Sequence, residues 1–251
     1  MKNSNYEYCA RTDINEIVCD VHSVDLYIIP THEKRLKVLS ANAKRLHVSI
    51  DGNSLKITQG NCNPLFVHRK KRIEILVPES TVPGITIDGK HAAINVSGGI
   101  YDKFTVSCDD CTVKCEHASF SECTFTGATL STLLSGVTVK ESLVVKCGEG
   151  DMIWENSFAS RTECRVKRGN IGLSDFNCKD SIMSAEKGNV AARLNGAESD
   201  YSLGLIIKEG TANRESVIRE GAPRSFKAYS ARGSIAIDFV HEDEITVYGN
   251  N

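Results

Sequence analysis

The feature that most constrains this chain is a repeat of about nineteen residues. Ala92, Cys111, Ser131, Gly150, Gly169 and Gly188 open the segments AAINV, CTVKC, STLLS, GDMIW, GNIGL and GNVAA, and they follow one another at 19, 20, 19, 19 and 19 residues. All six are small, as a tight corner requires. Two residues on stand Ile94, Val113, Leu133, Met152, Ile171 and Val190, and two beyond those Val96, Cys115, Ser135, Trp154, Leu173 and Ala192. Alternation at period two is the signature of strands with one buried face.

A second column runs half a period away through Ile85, Phe104, Cys123, Leu143, Cys164 and Ile182, followed two residues later by Ile87, Val106, Phe125, Val145 and Val166. Each repeat therefore holds at least two short strands with no helical stretch between them, which excludes a βαβ sheet and its crossover helix. The economical fold is all-β: a single-stranded parallel β-helix, or β-solenoid, with about 19 residues per rung and identical columns stacked as ladders inside. Six clear rungs make a rod of roughly 29 Å, and nine would make about 43 Å.

Traced backwards, the spacing gives Val38, Ile57 and Ile75 for one column and Leu26, Leu46 and Leu65 for the other. Asp51-Gly52, between Val48/Ile50 and Leu55/Ile57, is equally a β-hairpin turn signal, so residues 24–80 read either as rungs or as antiparallel hairpins. After Ile207 the period breaks. A single domain is expected over 1–251, with a cap or lead-in at 1–23, rungs over 24–207, an insertion at 208–228, and a last rung and C-terminal cap at 229–251, its tail starting at His241.

Ten cysteines are too few for a disulfide-built scaffold. The cluster Cys108, Cys111, Cys115 with Cys123 nearby has spacings that could hold zinc if four thiolates converged. The ladder gives a simpler reading: Cys115 shares a column with Val96, Trp154 and Leu173, and Cys123 and Cys164 share one with Phe104 and Leu143, as small buried hydrophobes. Cys108 and Cys111 flank an Asp109-Asp110 turn. No metal and no cofactor is expected.

The charge balance of 30 Lys+Arg against 32 Asp+Glu removes a general attraction for nucleic acid or anionic membrane and leaves room only for a local patch. No apolar run is long enough to insert in a membrane, and the N-terminal residues lack the pattern of a secretory leader. The expected location is therefore cytoplasmic, which free cysteines also fit, with the cell surface as the alternative if a leader was removed.

The outward positions read Asn95, Lys114, Leu134, Ile153, Gly172 and Ala191 on one sheet and Thr105, Thr124, Val144 and Arg165 on the other, with no carboxylate cluster of the kind polysaccharide lyases use. No histidine arrangement suggests a triad, and no phosphate loop occurs, so no catalytic or cofactor residue is nominated. His68-Arg69-Lys70-Lys71-Arg72 reads as charges guarding the apolar strand that follows rather than as a nucleic-acid site. The apolar outward residues Leu134, Ile153 and Ala191 call for a cover, either the early strands or a second copy of the chain in a homo-oligomer.

The corners Gly150-Asp151-Met152, Gly169-Asn170-Ile171, Gly188-Asn189-Val190 and Gly233-Ser234-Ile235 follow a G-[DN]-[IV] pattern. Over about residues 20–240 the chain resembles the bacterial putative adhesins of unknown function, and its corners are also similar to those of the polymer-forming bactofilins. The resemblance implies a right-handed coil and a role in adhesion, and it carries no catalytic residues. The many cysteines and the missing leader depart from a surface protein. The function expected is non-catalytic binding or scaffolding of an unidentified protein or glycan ligand. A self-assembling structural solenoid is the alternative, and a carbohydrate-active enzyme is a distant third.

Overall fold

The computed structural model describes residues 6–10, 13–41, 45–60 and 71–240. Its strands stack as a β-solenoid-like coil around one apolar core. The regular part begins with β8 (Gly84–Lys90) and β9 (Ala92–Ser97) and continues through β10 (Ile100–Glu116), β11 (Ser119–Ser135), β12 (Thr138–Glu149), β13 (Met152–Glu155), β14 (Phe158–Arg168) and β15 (Ile171–Lys187). All of these pair in parallel, Phe104 with Ile85 on one side and with Cys123 on the other. Within β10, Cys108 and Cys111 both point inward while Asp109 and Asp110 are exposed. The double-polar step is the corner, where the alternation changes phase without ending the strand.

The G-[DN]-[IV] corners have a steric and a polar reason. Gly169 and Gly188 sit at φ 139 and 152, and a Cβ on either would overlap the carbonyl oxygen of the glycine one rung before it. Asp151 Oδ1 accepts a hydrogen bond from the Asn170 backbone N–H at 2.7 Å, Asn170 Oδ1 accepts from Asn189 N–H at 3.0 Å, and Asn189 Oδ1 accepts from Ser234 N–H at 2.8 Å. Each side chain thus caps the backbone of the next rung, a ladder that needs Asp or Asn at every step.

Both ends depart from chain order. β2 (Glu16–His22) and β3 (Val24–Thr31) lie between β8 and β9 on one side and β6 (Ser54–Gln59) and β7 (Lys71–Pro78) on the other, all in parallel. Residues 16–22, expected in a lead-in, are therefore an interior rung, with Ile17, Cys19 and Val21 fully buried. Antiparallel strands complete this end: β5 (Leu46–Asp51) folds onto β6 around Asp51-Gly52, β4 (Lys37–Ser40) pairs with β7, and β1 (Tyr6–Cys9) pairs with β4. Residues 24–80 thus hold both parallel rungs and antiparallel pairs, but not in the columns that the spacing gives: Leu26 aligns with Ile73 and Ile94, Ile57 aligns with Cys19 and Ile87, and Val38 meets Ile75 antiparallel. Leu65, and His68 to Lys70 of the basic run, lie outside the described residues.

At the other end β16 (Val190–Asn195) leads through a short turn at Glu198–Asp200 to β17 (Tyr201–Ala212), and the chain then returns as β18 (Arg224–Val240). β18 slots between β15 and β17, so the last strand in sequence is not the last in space. The expected insertion at 208–228 shrinks to 213–223, because β17 runs on through Ala212. That loop covers the outer edge of β17: Leu203 and Val217 exchange backbone hydrogen bonds at 2.8 and 2.9 Å, and Ser216 Oγ accepts from Leu205 N–H at 2.8 Å. An open strand edge is closed by a loop. The tail from His241, expected as the cap, lies outside the described residues.

The ladder corrects several columns. Ser142 pairs with Glu122, while Val139 pairs with Phe120, so the extra residue of the long repeat sits at 140–141 and not before Ser131. Thr132, not Leu133, therefore joins Val113 and Met152 inside, and Leu134, not Ser135, joins Cys115 and Trp154. In the other sheet the column of Leu143 continues through Thr162 and Ser181, while Cys164 joins Val145, and Ile182 points outward. Buried hydroxyls at these places break the apolar pattern. Thr132 is held by its neighbours, its Oγ1 accepting from Trp154 Nε1 at 2.8 Å and facing Met152 Sδ at 3.0 Å.

Candidate binding surface

The same correction moves a charged column. Arg165 does not follow Val144, which pairs with Glu163; Arg165 pairs with Lys146 on one side and Ser184 on the other, and Ser184 pairs with Tyr229. Past the adjoining corner a second outward column runs Glu149, Arg168, Lys187, Arg232, Glu209. A groove of about 1140 Å³ lies between these columns, with Lys167, Glu186 and Lys208 among its lining residues. Seven cationic side chains and two carboxylates line it: Lys146, Arg165, Lys167, Arg168, Lys187, Lys208 and Arg232 against Glu149 and Glu186.

Carboxylates restrain only part of this charge. Arg168 pairs with Glu149, Arg232 Nε with Glu209 Oε2 at 3.2 Å, and Arg165 Nε with Glu163 Oε1 at 2.8 Å. Lys208 lies over the Tyr229 ring at 6.0 Å. Lys146, Lys167 and Lys187 have no ion-pair partner among the described residues. Arg168, Lys187 and Arg232 stand on neighbouring strands about 4.8 Å apart, an arrangement in which like charges repel.

The second surface feature is the apolar column on the other sheet. Leu134 does not belong to it, being 2% exposed; the outward residue of that rung is Leu133, which aligns with Ile153. The column reads Leu133, Ile153, Gly172, Ala191 and Ala236. Among the described residues the early strands do not cover Leu133 or Ile153, which are 37% and 45% exposed.

Eight of the nine described cysteines are buried, and all nine are free thiols. Cys115, Cys123 and Cys164 lie in the core, and burial pushes their thiols well up from the ordinary value. The neighbouring Cys108 and Cys111 thiols act on each other, which raises the Cys108 thiol and lowers that of Cys111. Among the described residues no three His, Cys, Asp or Glu side chains gather as metal ligands. Burial alone shields these thiols from oxidants, so their reduced state carries no information about compartment. Of the basic run, Arg72 stacks on Tyr27 at 4.2 Å and pairs with Glu74 at 2.6 Å, as part of the β7 surface.

Residues 14–246 match the family described as Toastrack DUF4097. The chain belongs to this family. A putative adhesin from Bacteroides fragilis is a structural neighbour of this Toastrack chain, with a TM-score of 0.58 at 13% identity, over 94% of this chain and 96% of that one. A putative lipid binding protein from Parabacteroides distasonis reaches a TM-score of 0.49 at 15% identity, over 93% of this chain and 96% of that one. A putative cell adhesion protein from Clostridium sporogenes reaches 0.26 at 11% identity, over 95% of this chain and 100% of that one. No curated protein matches the chain. At such identities the Bacteroides neighbour speaks for the Toastrack fold alone. The resemblance to bacterial adhesins of unknown function and the all-β, solenoid-like architecture agree with these findings.

Proposed function

We propose that this Toastrack chain is a non-catalytic binding protein, a right-handed coil of rungs about 19 residues long that holds its ligand on an outer face. Pairs nineteen apart, such as Phe104 with Cys123, support the rung length. The observation that carries the binding role is the cation-lined groove, whose side chains are held at fixed spacing by the parallel ladder. A rigid sheet keeps such side chains at set distances, which lowers the ordering cost of binding. The test is affinity electrophoresis of the chain through gels containing acidic or neutral polysaccharide, followed by an assay of the gel for new reducing ends. Retardation by polysaccharide without new ends is expected; new ends overturn the non-catalytic reading.

A second reading, self-assembly, rests on the exposed column of Leu133, Ile153 and Ala191, which a second copy of the chain would cover. Sizing across a dilution series tests it. A dimer or filament that Ile153→Lys disperses supports assembly, and a monomer at every concentration removes it.

A further inference from the structure

We infer that the groove beside Lys146, Arg165 and Lys187 binds a linear polyuronate, a polysaccharide carrying one carboxylate per sugar. The inference rests on the binding reading above and names its ligand class. Four observations lead to it.

The first is electrostatic. Lys187 pairs in register with Arg168 and Arg232, so three cations stack with no carboxylate among them. Like charges facing each other across neighbouring strands destabilise a sheet, and an anion lying along the column relieves that repulsion. Glu149 and Glu209 continue the column at its two ends and pair with the outer two cations. Lys187 is left as the unpaired centre.

The second is spacing. The ladder sets the cations at intervals of about 4.8 Å along the stack. A pyranose ring with its bridging oxygen is close to that length, so an extended uronate chain running along the stack carries one carboxylate per rung, and because successive sugars are turned about the chain axis these carboxylates are shared between the two walls. The paired column of Lys146 and Arg165 offers the same interval on the opposite wall. Arginine at two of the three stacked positions suits carboxylate, because the guanidinium fork matches its two oxygens.

The third is the pair of carboxylates in the lining, Glu149 and Glu186. A carboxylate can only accept hydrogen bonds, and a ligand with an unbroken run of phosphates would meet it with repulsion. Sugar hydroxyls supply donors between the ligand's own charges. The fourth is the aromatic content. Single-stranded nucleic acid is held by successive aromatic platforms, and here Tyr229 is the one aromatic residue in the lining. The volume of about 1140 Å³ also exceeds the roughly 300–1,000 Å³ of small-ligand pockets and suits a segment of polymer.

The experiment is fluorescence anisotropy of the full chain with end-labelled polygalacturonate, a neutral dextran and oligo(dT), at low and high salt. Polygalacturonate should bind with an affinity that falls as salt rises, dextran should not bind, and oligo(dT) should bind at least about tenfold more weakly. Lys187→Glu should weaken polygalacturonate binding by about tenfold or more, whereas Lys114→Glu, on the other sheet, should leave it unchanged. Circular dichroism melts of both variants establish that they fold. Absent polygalacturonate binding, any measurable binding of dextran, binding of oligo(dT) within about tenfold of polygalacturonate, or indifference to Lys187→Glu overturns the inference while leaving the non-catalytic reading intact. Sizing of the polymer after incubation separates the two: shortened polygalacturonate would overturn the non-catalytic reading and leave the ligand class standing.

Discussion

The middle of the molecule and its two ends solve the same stacking problem in different ways. From β8 to β15 each rung lies on the one that precedes it in the chain, whereas at each end the chain passes over a position and another segment fills it. β2 and β3 are enclosed between later strands, and β18 is enclosed between β15 and β17. The middle is held by repetition, its glycine corners and Asp/Asn ladder recurring from rung to rung. The ends are held by closure, antiparallel β4 and β5 at one and the 213–223 loop at the other. An uncovered parallel edge would template further pairing, so ends must break the pattern that the middle depends on.

The comparison can be broken most severely by alkali. Among the described residues the buried thiols concentrate in the middle, with Cys108, Cys111, Cys115, Cys123, Cys147, Cys164 and Cys178 there against Cys19 at the N-terminal end. Burial pushes the Cys19 thiol up to about 12 and that of Cys178 up to about 11 from the ordinary 9.0, and raises Cys115, Cys123 and Cys164 as well. The folded chain therefore keeps protons that the unfolded chain has lost. Stability is intact below pH 9.0 and falls as pH rises toward 12. Each fully buried thiol contributes about 1.4 kcal/mol of loss per pH unit in that window. Denaturant midpoints measured on both sides of pH 9.0 should fall steeply, and hydrogen exchange should show β10 to β15 opening with the rest. A flat profile would mean the core admits thiolates.

A smaller effect separates a repeated corner from a terminal turn. Gly169→Ala places a Cβ against the Gly150 carbonyl at φ 139, and relief requires the two rungs to part. A loss of about 3 kcal/mol is expected by chemical denaturation. Gly52→Ala, in the β5–β6 hairpin, meets open space at φ 60 and should lose only about 1 kcal/mol. Equal losses would show that the glycine column is not what spaces the rungs.

Much of the middle was legible in the sequence because its corners are chemically restricted. Glycine was the one residue that fits at positions 150, 169 and 188, and their recurrence therefore revealed the period, whereas Leu130 and not Ser131 takes the equivalent place one rung earlier. The inward columns were less legible where hydroxyls replace hydrocarbons. Thr132, Thr162 and Ser181 are all buried, and matching apolar to apolar stepped past them to Leu133, Cys164 and Ile182. That slip moved Arg165 away from Lys146 and hid the groove, because a charged column exists only when the register is right. The enclosed rungs at the ends could not be read at all from spacing. Their neighbours are distant in the chain, and a linear period cannot show that Ile17 stacks between Leu55 and Ile85.

The hydroxyls themselves give the next contrast. Thr132→Val keeps the shape inside the middle rungs but leaves the buried Trp154 Nε1 donor without an acceptor. It should cost about 2 kcal/mol in equilibrium unfolding, with a shift in Trp154 fluorescence as its spectroscopic mark. Ser216→Ala removes a hydrogen bond to Leu205 N–H at the exposed edge of β17, where water can take over. About 0.5 kcal/mol is expected there. If the two variants lose the same amount, the closing loop is bound as tightly as the core, and the distinction between repetition and closure weakens.

The smallest effect has the opposite sign and tests whether the regular ladder carries a cost for function. Lys187 stands between Arg168 and Arg232 in the free protein, and its charge is set against both. Lys187→Glu converts two repulsive neighbours into attractive ones, so the unliganded chain should melt higher by about 1 °C. The gain should shrink as salt rises, since exposed charges are screened. A residue kept only for the fold would not be better replaced by its opposite. Unchanged or lowered melting in low salt would mean that the three side chains splay apart into solvent and that no repulsion is stored in the column. A rise in melting joined to a loss of polygalacturonate binding would instead mark this stretch of the ladder as one whose charges serve a ligand at the expense of the free protein.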